Sequence, residues 1–345
     1  MNPVESLPVP GILPHQALEA LIAGGAISAS SPFAADQVQP ASVDLRLGER
    51  AWRVRASFLP GRRKVADRLA DVAMHALDLS GGVVLEKGCV YIAELQERLA
   101  LPAGVQARAN PKSSTGRVDV FVRLLTDQGD AFDDVAEGYA GPLYLEIAPQ
   151  TFPVLVRTGT RLNQLRLKAG DPPRLETRSV GVDLSADIVG FRGRRHAGVI
   201  DLDKVEGHDP RDFWEPLERR ASSRPGELLL DPGEFYILAS RETVEIPVTQ
   251  AAEMTPIDPS VGEFRVHYAG FFDPGFGVDE AKGAGSRAVL EVRTHDTPFL
   301  LEDGQIMARL VYEPLTRRPT RLYGEGGSHY QSQGLKLSKH FAPWR

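Results

Sequence analysis

The chain has 345 residues, 42% hydrophobic and 25% charged, which is enough for two domains of about 170 residues with sizeable cores. Acidic residues number 46 against 40 basic, and a net charge of -6 argues against wrapping a nucleic-acid polymer or coating an anionic membrane. A few basic groups in one pocket would still hold a small anion. The single cysteine, Cys89, excludes a disulfide within the chain and any zinc site built on paired cysteines.

No run approaches the roughly 20 apolar residues of a membrane span. The opening MNPVESLPVPGILPHQ lacks the basic start and apolar core of a signal peptide, so a reducing cytoplasm is the expected compartment. The first element in chain order is a helix. Ala17, Leu18, Leu21 and Ile22 recur at helical spacing, and Gly24-Gly25 stops the pattern. Most of the rest reads as short strands rich in Val, Leu, Ile, Tyr and Arg, punctuated by 33 Gly and 26 Pro. The stretch 212–221, DFWEPLERRA, reads as a second helix against the objection of its own Pro216.

The chain repeats itself. EKGCVYIAELQERLALP (86–102) resembles DPGEFYILASRETVEIP (231–247), with Gly88, Tyr91, Glu97 and Pro102 meeting Gly233, Tyr236, Glu242 and Pro247 at a constant shift of 145. The same shift carries Leu145-Glu146 onto Leu290-Glu291 and Gly159 onto Gly304. Upstream, SVDLRLG (42–48) meets GVDLSADI (181–188) at a shift of 139, so a small indel intervenes. One register held over such a length predicts two copies of one β fold, joined near KAGDPPRLETRS (168–179).

Several familiar sites are absent. The sequence has no G-x-x-x-x-G-K-[ST], no H-E-x-x-H and no G-x-S-x-G. Its eight histidines are dispersed, with no i, i+4 pair to hold a metal on a helix. PKSSTGR (111–117) stands out. It is either a solvated turn whose serines cap backbone, or a phosphate cradle of backbone N–H groups, Ser113 and Ser114 hydroxyls and the Lys112 and Arg117 charges. Its duplicate, PIDPSVG (256–262), has no cation and one hydroxyl, so only the first copy keeps the feature.

Glu146 and Glu291 sit in otherwise apolar strands. Each is on a solvated face or aimed into a cleft, where desolvation would raise its pKa and make it a competent base for water. The Gly-rich end RLYGEGGSHYQSQGLKLSKHF (321–341) reads as a structural tail or as a flap closing over an anion.

Taken in order, SVDLRLG, the basic-Ser-Ser-x-x-Arg turn, an Asp-Pro-Gly turn, a Leu-Glu strand and a Tyr-x-x-Gln tail resemble the dCTP deaminases of the trimeric dUTPase superfamily, in their longer tandem form. The resemblance implies a mostly β chain, a tandem repeat of a dUTPase-like distorted β-barrel (β-clip) with few short helices. Residues 1–170 would be the half with the phosphate turn, and 180–345 the half with Glu, Asp-Pro-Gly turn and C-terminal flap.

Residue by residue, the family pattern implies substrate contacts from Lys112 (in place of an Arg), Ser113, Ser114, Arg117, His267, Ala269, Asp273, Tyr323, His329 (in place of a Lys) and Gln333. Pro274 and Gly275 complete the Asp-Pro-Gly turn, which the first half lacks in RLLTDQGDAFDD. Phe271 stands where the family has an Arg. Catalysis would fall to Glu291, Arg117 and Ser113, with Glu146 as the fallback or a remnant.

Because the halves have lost complementary parts, the expectation is one composite site, formed within a chain or between chains. The implied reaction is dCTP plus water to dUTP and ammonia, supplying dUTP for thymidylate synthesis. Mg²⁺ would ride on the substrate triphosphate, no zinc would take part, and the chain would form a homo-oligomer on the family's trimeric principle. The rivals are dUTP hydrolysis to dUMP and pyrophosphate, a bifunctional enzyme, and a non-catalytic nucleotide-binding regulator.

Overall fold

The computed structural model describes residues 10–219, 226–256, 264–266, 270–278, 285–294, 296–325 and 329–345. The expected mostly β architecture is present, with few and short helices. In the first half, a five-stranded sheet runs Gly11–Ile12, Asn163–Ala169, Val105–Pro111 and Asp134–Val135, with Val43–Leu45 also pairing on Asn163–Ala169. A six-stranded sheet centres on Val90–Ala100 and Ala140–Pro149. The second half repeats the plan with a four-stranded sheet around Ile306–Pro314 and a five-stranded sheet around Phe235–Thr243 and Arg287–Thr294.

The two copies are in register. Glu146 lies opposite Ile92 and Glu291 opposite Ile237, each residue 145 positions after its counterpart. Residues 170–175 join the last strand of one half to Glu176–Gly181, the first of the other.

The N-terminal helix forms at His15–Ala23 and buries Ala17, Leu18 and Leu21. Gly25, at φ 76°, supplies the left-handed turn that ends it. The helix expected at 212–221 is not present over 212–219, the part of that stretch among the described residues. Pro210–Asp212 make a 3-10 turn capped by Asp209, and Trp214–Glu218 then form a strand antiparallel to Ile188–Gly193. This strand is at the sheet edge, where Pro216 costs no ladder bond, and full burial of Trp214 fixes it there. An unexpected helix, Val65–Val72, buries Val65 and Leu69 one turn apart.

The halves share a core. Phe213 and Trp214 of the second half pack edge-on against Phe152 of the first, with ring centres 5.8 and 5.3 Å apart. Phe341, near the chain end, closes the cluster 5.3 Å from Phe213 and 5.9 Å from Trp214. A second core, around Tyr236, Leu290 and Tyr312, belongs to the second half alone. The shared core brings the Ser113–Gly116 turn of one half opposite the Glu291 strand of the other.

Candidate active site between the halves

PKSSTGR folds as a tight helical turn, Ser113–Gly116, after the strand Val105–Pro111 and before the strand Val120–Thr126. The amides of Thr115 and Gly116 both donate to the Lys112 carbonyl, which winds the serines into one turn. Lys112 ion-pairs with Asp44 of the SVDLRLG strand at 2.5 Å, and Arg161 reaches Asp36 at 2.9 Å and Asp44 at 3.6 Å. Lys339 of the tail completes a cationic cluster here. Burial, and then repulsion from Lys112, hold its ammonium below the usual lysine range.

The facing wall comes from the second half. Glu291 projects from the strand Arg287–Thr294 into an open cleft of about 220 Å³, which Ser113, Ser114 and Arg117 line from the other side. It is 5% exposed, and burial pushes its carboxyl up to about 8, against the pull of Arg117 and with a further push from Asp119. Desolvation therefore wins over the nearby guanidinium. Asp273 opens the Asp-Pro-Gly turn in the same wall, and burial raises its carboxyl too, opposed by Arg166. At Gly277, φ is 73° and a Cβ would stand 1.9 Å from the Val244 carbonyl oxygen, so only glycine lets this turn close.

The tail is folded over the cleft and docked rather than free. Arg117 Nη1 donates to Gln333 Oε1 and to the Lys336 carbonyl, both at 3.0 Å, and its guanidinium lies 4.0 Å from the Tyr330 ring centre. Ser338 donates to the Ser114 carbonyl at 2.8 Å. Gln331 ties the Asp-Pro-Gly turn to the tail, donating to the Gly275 carbonyl and accepting from the Gly277 amide. Tyr323 stacks at a tilt on Phe276, with ring centres 5.4 Å apart. His329 lines the cleft, and burial and nearby lysines lower its pKa.

Thus Lys112, Ser113, Ser114, Arg117, Asp273, Glu291, Tyr323, His329 and Gln333 line one cleft within one chain. His267 and Ala269 lie outside the described residues. Glu146 does not join them. It is 1% exposed and its Oε1 accepts from Arg123 Nε at 2.9 Å, inside the first half. Sequence reasoning missed Asp36, Asp44, Arg161, Gln331 and Lys339. The repeat held a signal for one of them, since Asp44 aligns with Asp183, which ion-pairs with Arg287 in the second half.

Both halves of the chain match known proteins. Residues 9–171 match the family model of the 2′-deoxycytidine 5′-triphosphate deaminase N-terminal domain, and 175–341 match that of its C-terminal domain. The crystal structure of 2′-deoxycytidine 5′-triphosphate deaminase from Agrobacterium tumefaciens superposes with a TM-score of 0.85 at 52% identity, covering 89% of this chain and 99% of that one. A dCTP deaminase of Haloarcula marismortui is 31% identical over 176 residues, 50% of this chain and 86% of its own. A "dCTP deaminase, dUMP-forming" of Coprothermobacter proteolyticus is 28% identical over 138 residues, 39% of this chain and 69% of its own.

Proposed function

The chain belongs to the 2′-deoxycytidine 5′-triphosphate deaminase family, and on that premise we propose that it hydrolyses dCTP to dUTP and ammonia in the cleft between its halves. The observation that carries this reading is the meeting of Glu291 from one half with Arg117 and Ser113 from the other. A carboxyl titrating near the working pH can both accept and return a proton. Glu291 takes a proton from water as its oxygen attacks C4 of cytosine. The resulting carboxylic acid protonates N3, and a second transfer lets the amine leave as ammonia. Arg117 and Ser113 hold the water and stabilise charge developing around C4.

Lys112, Arg161, Lys339 and the Ser113–Ser114 turn form the triphosphate end in this reading. Asp36 and Asp44 are both engaged by cations there, so the donor set suits a phosphate chain with its own Mg²⁺ rather than a protein cage. Among the described residues no three His, Cys, Asp or Glu side chains converge as metal ligands. Among them also no helix is long and apolar enough to cross a membrane.

The test treats the purified protein with a chelator, restores Mg²⁺, and follows ammonia and pyrophosphate from dCTP and from dUTP. Ammonia from dCTP without pyrophosphate is the expected result. Pyrophosphate together with ammonia makes the enzyme bifunctional and dUMP-forming, and pyrophosphate alone makes it a dUTP diphosphatase. No product from either nucleotide leaves a binding protein.

A further inference from the structure

Arg166 belongs to the first half, yet its side chain ends in the second. It lies on the strand Asn163–Ala169, two residues beyond Gln164, so both side chains leave the same face, and Gln164 lines the cleft. Nη1 of Arg166 donates to the Ala252 carbonyl at 2.9 Å. Nη2 donates to the Phe272 carbonyl at 3.1 Å and to Asp273 Oδ1 at 3.0 Å. Its guanidinium carbon is 4.1 Å from the centre of the Phe271 ring. One side chain thereby holds three successive residues of the cleft wall, and it is only 2% exposed.

A buried guanidinium is costly unless its donors are matched, and here a carboxylate and two carbonyls take Nη1 and Nη2 while a ring covers its face, leaving Nε buried without a hydrogen-bond partner. The neighbours matter as well. Phe271 stands where the family pattern has an arginine, so a guanidinium does cover this position, but it arrives from the other repeat. Asp273 lines the cleft and its Oδ1 is engaged by Arg166.

We propose that Arg166 is a positioning residue supplied across the repeat boundary, which fixes residues 271–273 so that the remaining oxygen of Asp273 accepts a hydrogen bond from the bound nucleotide. The proposal rests on the nucleotide reading of the cleft. Burial raises the Asp273 carboxyl, Arg166 and Lys112 pull it down, and Asp44 pushes it up. Removing the guanidinium removes the first of those pulls, which raises the Asp273 carboxyl further and favours the protonated form, with one acceptor site fewer for the nucleotide.

The experiment is steady-state kinetics on Arg166→Met, Arg166→Lys, Asp273→Asn and the corresponding double variants, between pH 6 and 8. Arg166→Met should raise KM for dCTP about tenfold while kcat falls less than about threefold. Its KM–pH profile should lie at higher pH than that of the wild type, because the guanidinium no longer holds the Asp273 carboxyl down. Combined with Asp273→Asn it should add little, because both changes remove one interaction. Should Arg166→Met fail to fold, Arg166→Lys, which keeps the charge but not the fork, enters the same cycle. A KM unchanged from wild type, a KM–pH profile that coincides with that of the wild type, or full additivity with Asp273→Asn overturns the proposal. Absence of ammonia from the wild type instead sinks the deaminase reading, and calorimetric dCTP affinities of the same variants then decide the role of Arg166.

Discussion

Arg293 of the second half donates to Asp119 of the first through Nε at 3.1 Å and Nη2 at 2.7 Å, and Thr151 donates to the same carboxylate oxygen at 2.6 Å. Asp119 is two residues past Arg117 and Arg293 two residues past Glu291, so this pair bolts together the segments bearing the two proposed catalytic groups. It is also electrical, because the Asp119 charge helps to hold the Glu291 carboxyl up.

Asp119→Asn should move the acidic limb of the pH–kcat/KM profile to lower pH. Removing a negative charge beside Glu291 favours its ionised form, and the loosened Arg293 adds to that effect. Steady-state rates from pH 5 to 9 check the direction. A shift toward higher pH would contradict it.

Glu291→Gln should lower kcat by about 10²- to 10⁴-fold, the contribution of a positioned acid–base group. It should also stabilise the protein. A carboxyl that titrates near 8 when folded and near 4.5 when unfolded stabilises the fold fully only below the lower value, and that stability is lost as pH rises through 8. The neutral amide escapes this penalty. The gain is on the order of 3 kcal/mol at pH 7 and vanishes near pH 4. Denaturant titrations at those two pH values read it.

Glu146→Gln should do the opposite. Turnover should stay within a few-fold of wild type, since this side chain is outside the cleft. Stability should fall by about 3 kcal/mol, because Arg123 loses a buried counter-charge. Parallel melting curves and ammonia assays separate the two glutamates.

Truncation after Gly334 should cost both stability and affinity. It removes Phe341 from the shared aromatic cluster, Ser338 from the Ser114 carbonyl and Lys339 from the cationic end of the cleft. A burial loss of Phe size is worth about 3 kcal/mol, and KM should rise more than tenfold with the loss of a phosphate-facing charge. Thermal melts and initial rates measure each part.

Much of this arrangement was legible in the sequence because the register of the repeat is constant where strands pair. The constant shift of 145 placed Glu146 and Glu291 on equivalent strands, with Glu146 kept as the fallback to Glu291. Residues 212–221 misled because local helical spacing competes with the burial of one large side chain, and Trp214 sides with the sheet. Val65–Val72 was missed because it is only eight residues long and rests on two buried side chains, Val65 and Leu69. Arg161 and Lys339 carried no local signal. They join the site through pairing with Asp36 and crowding against Lys112, contacts that exist only after the strands have closed.

The aromatic cluster of Phe152, Phe213, Trp214 and Phe341 has a consequence for how activity scales. A catalytic cleft assembled between separate polypeptides dissolves when its parts are diluted, and its output per mole then falls with concentration. Here the two walls are tethered by residues 170–175 and clamped by that cluster, so each wall meets the other at a local concentration that dilution cannot change. The assembly of the two walls is thereby an intramolecular step, with one such cleft for every two copies of the fold.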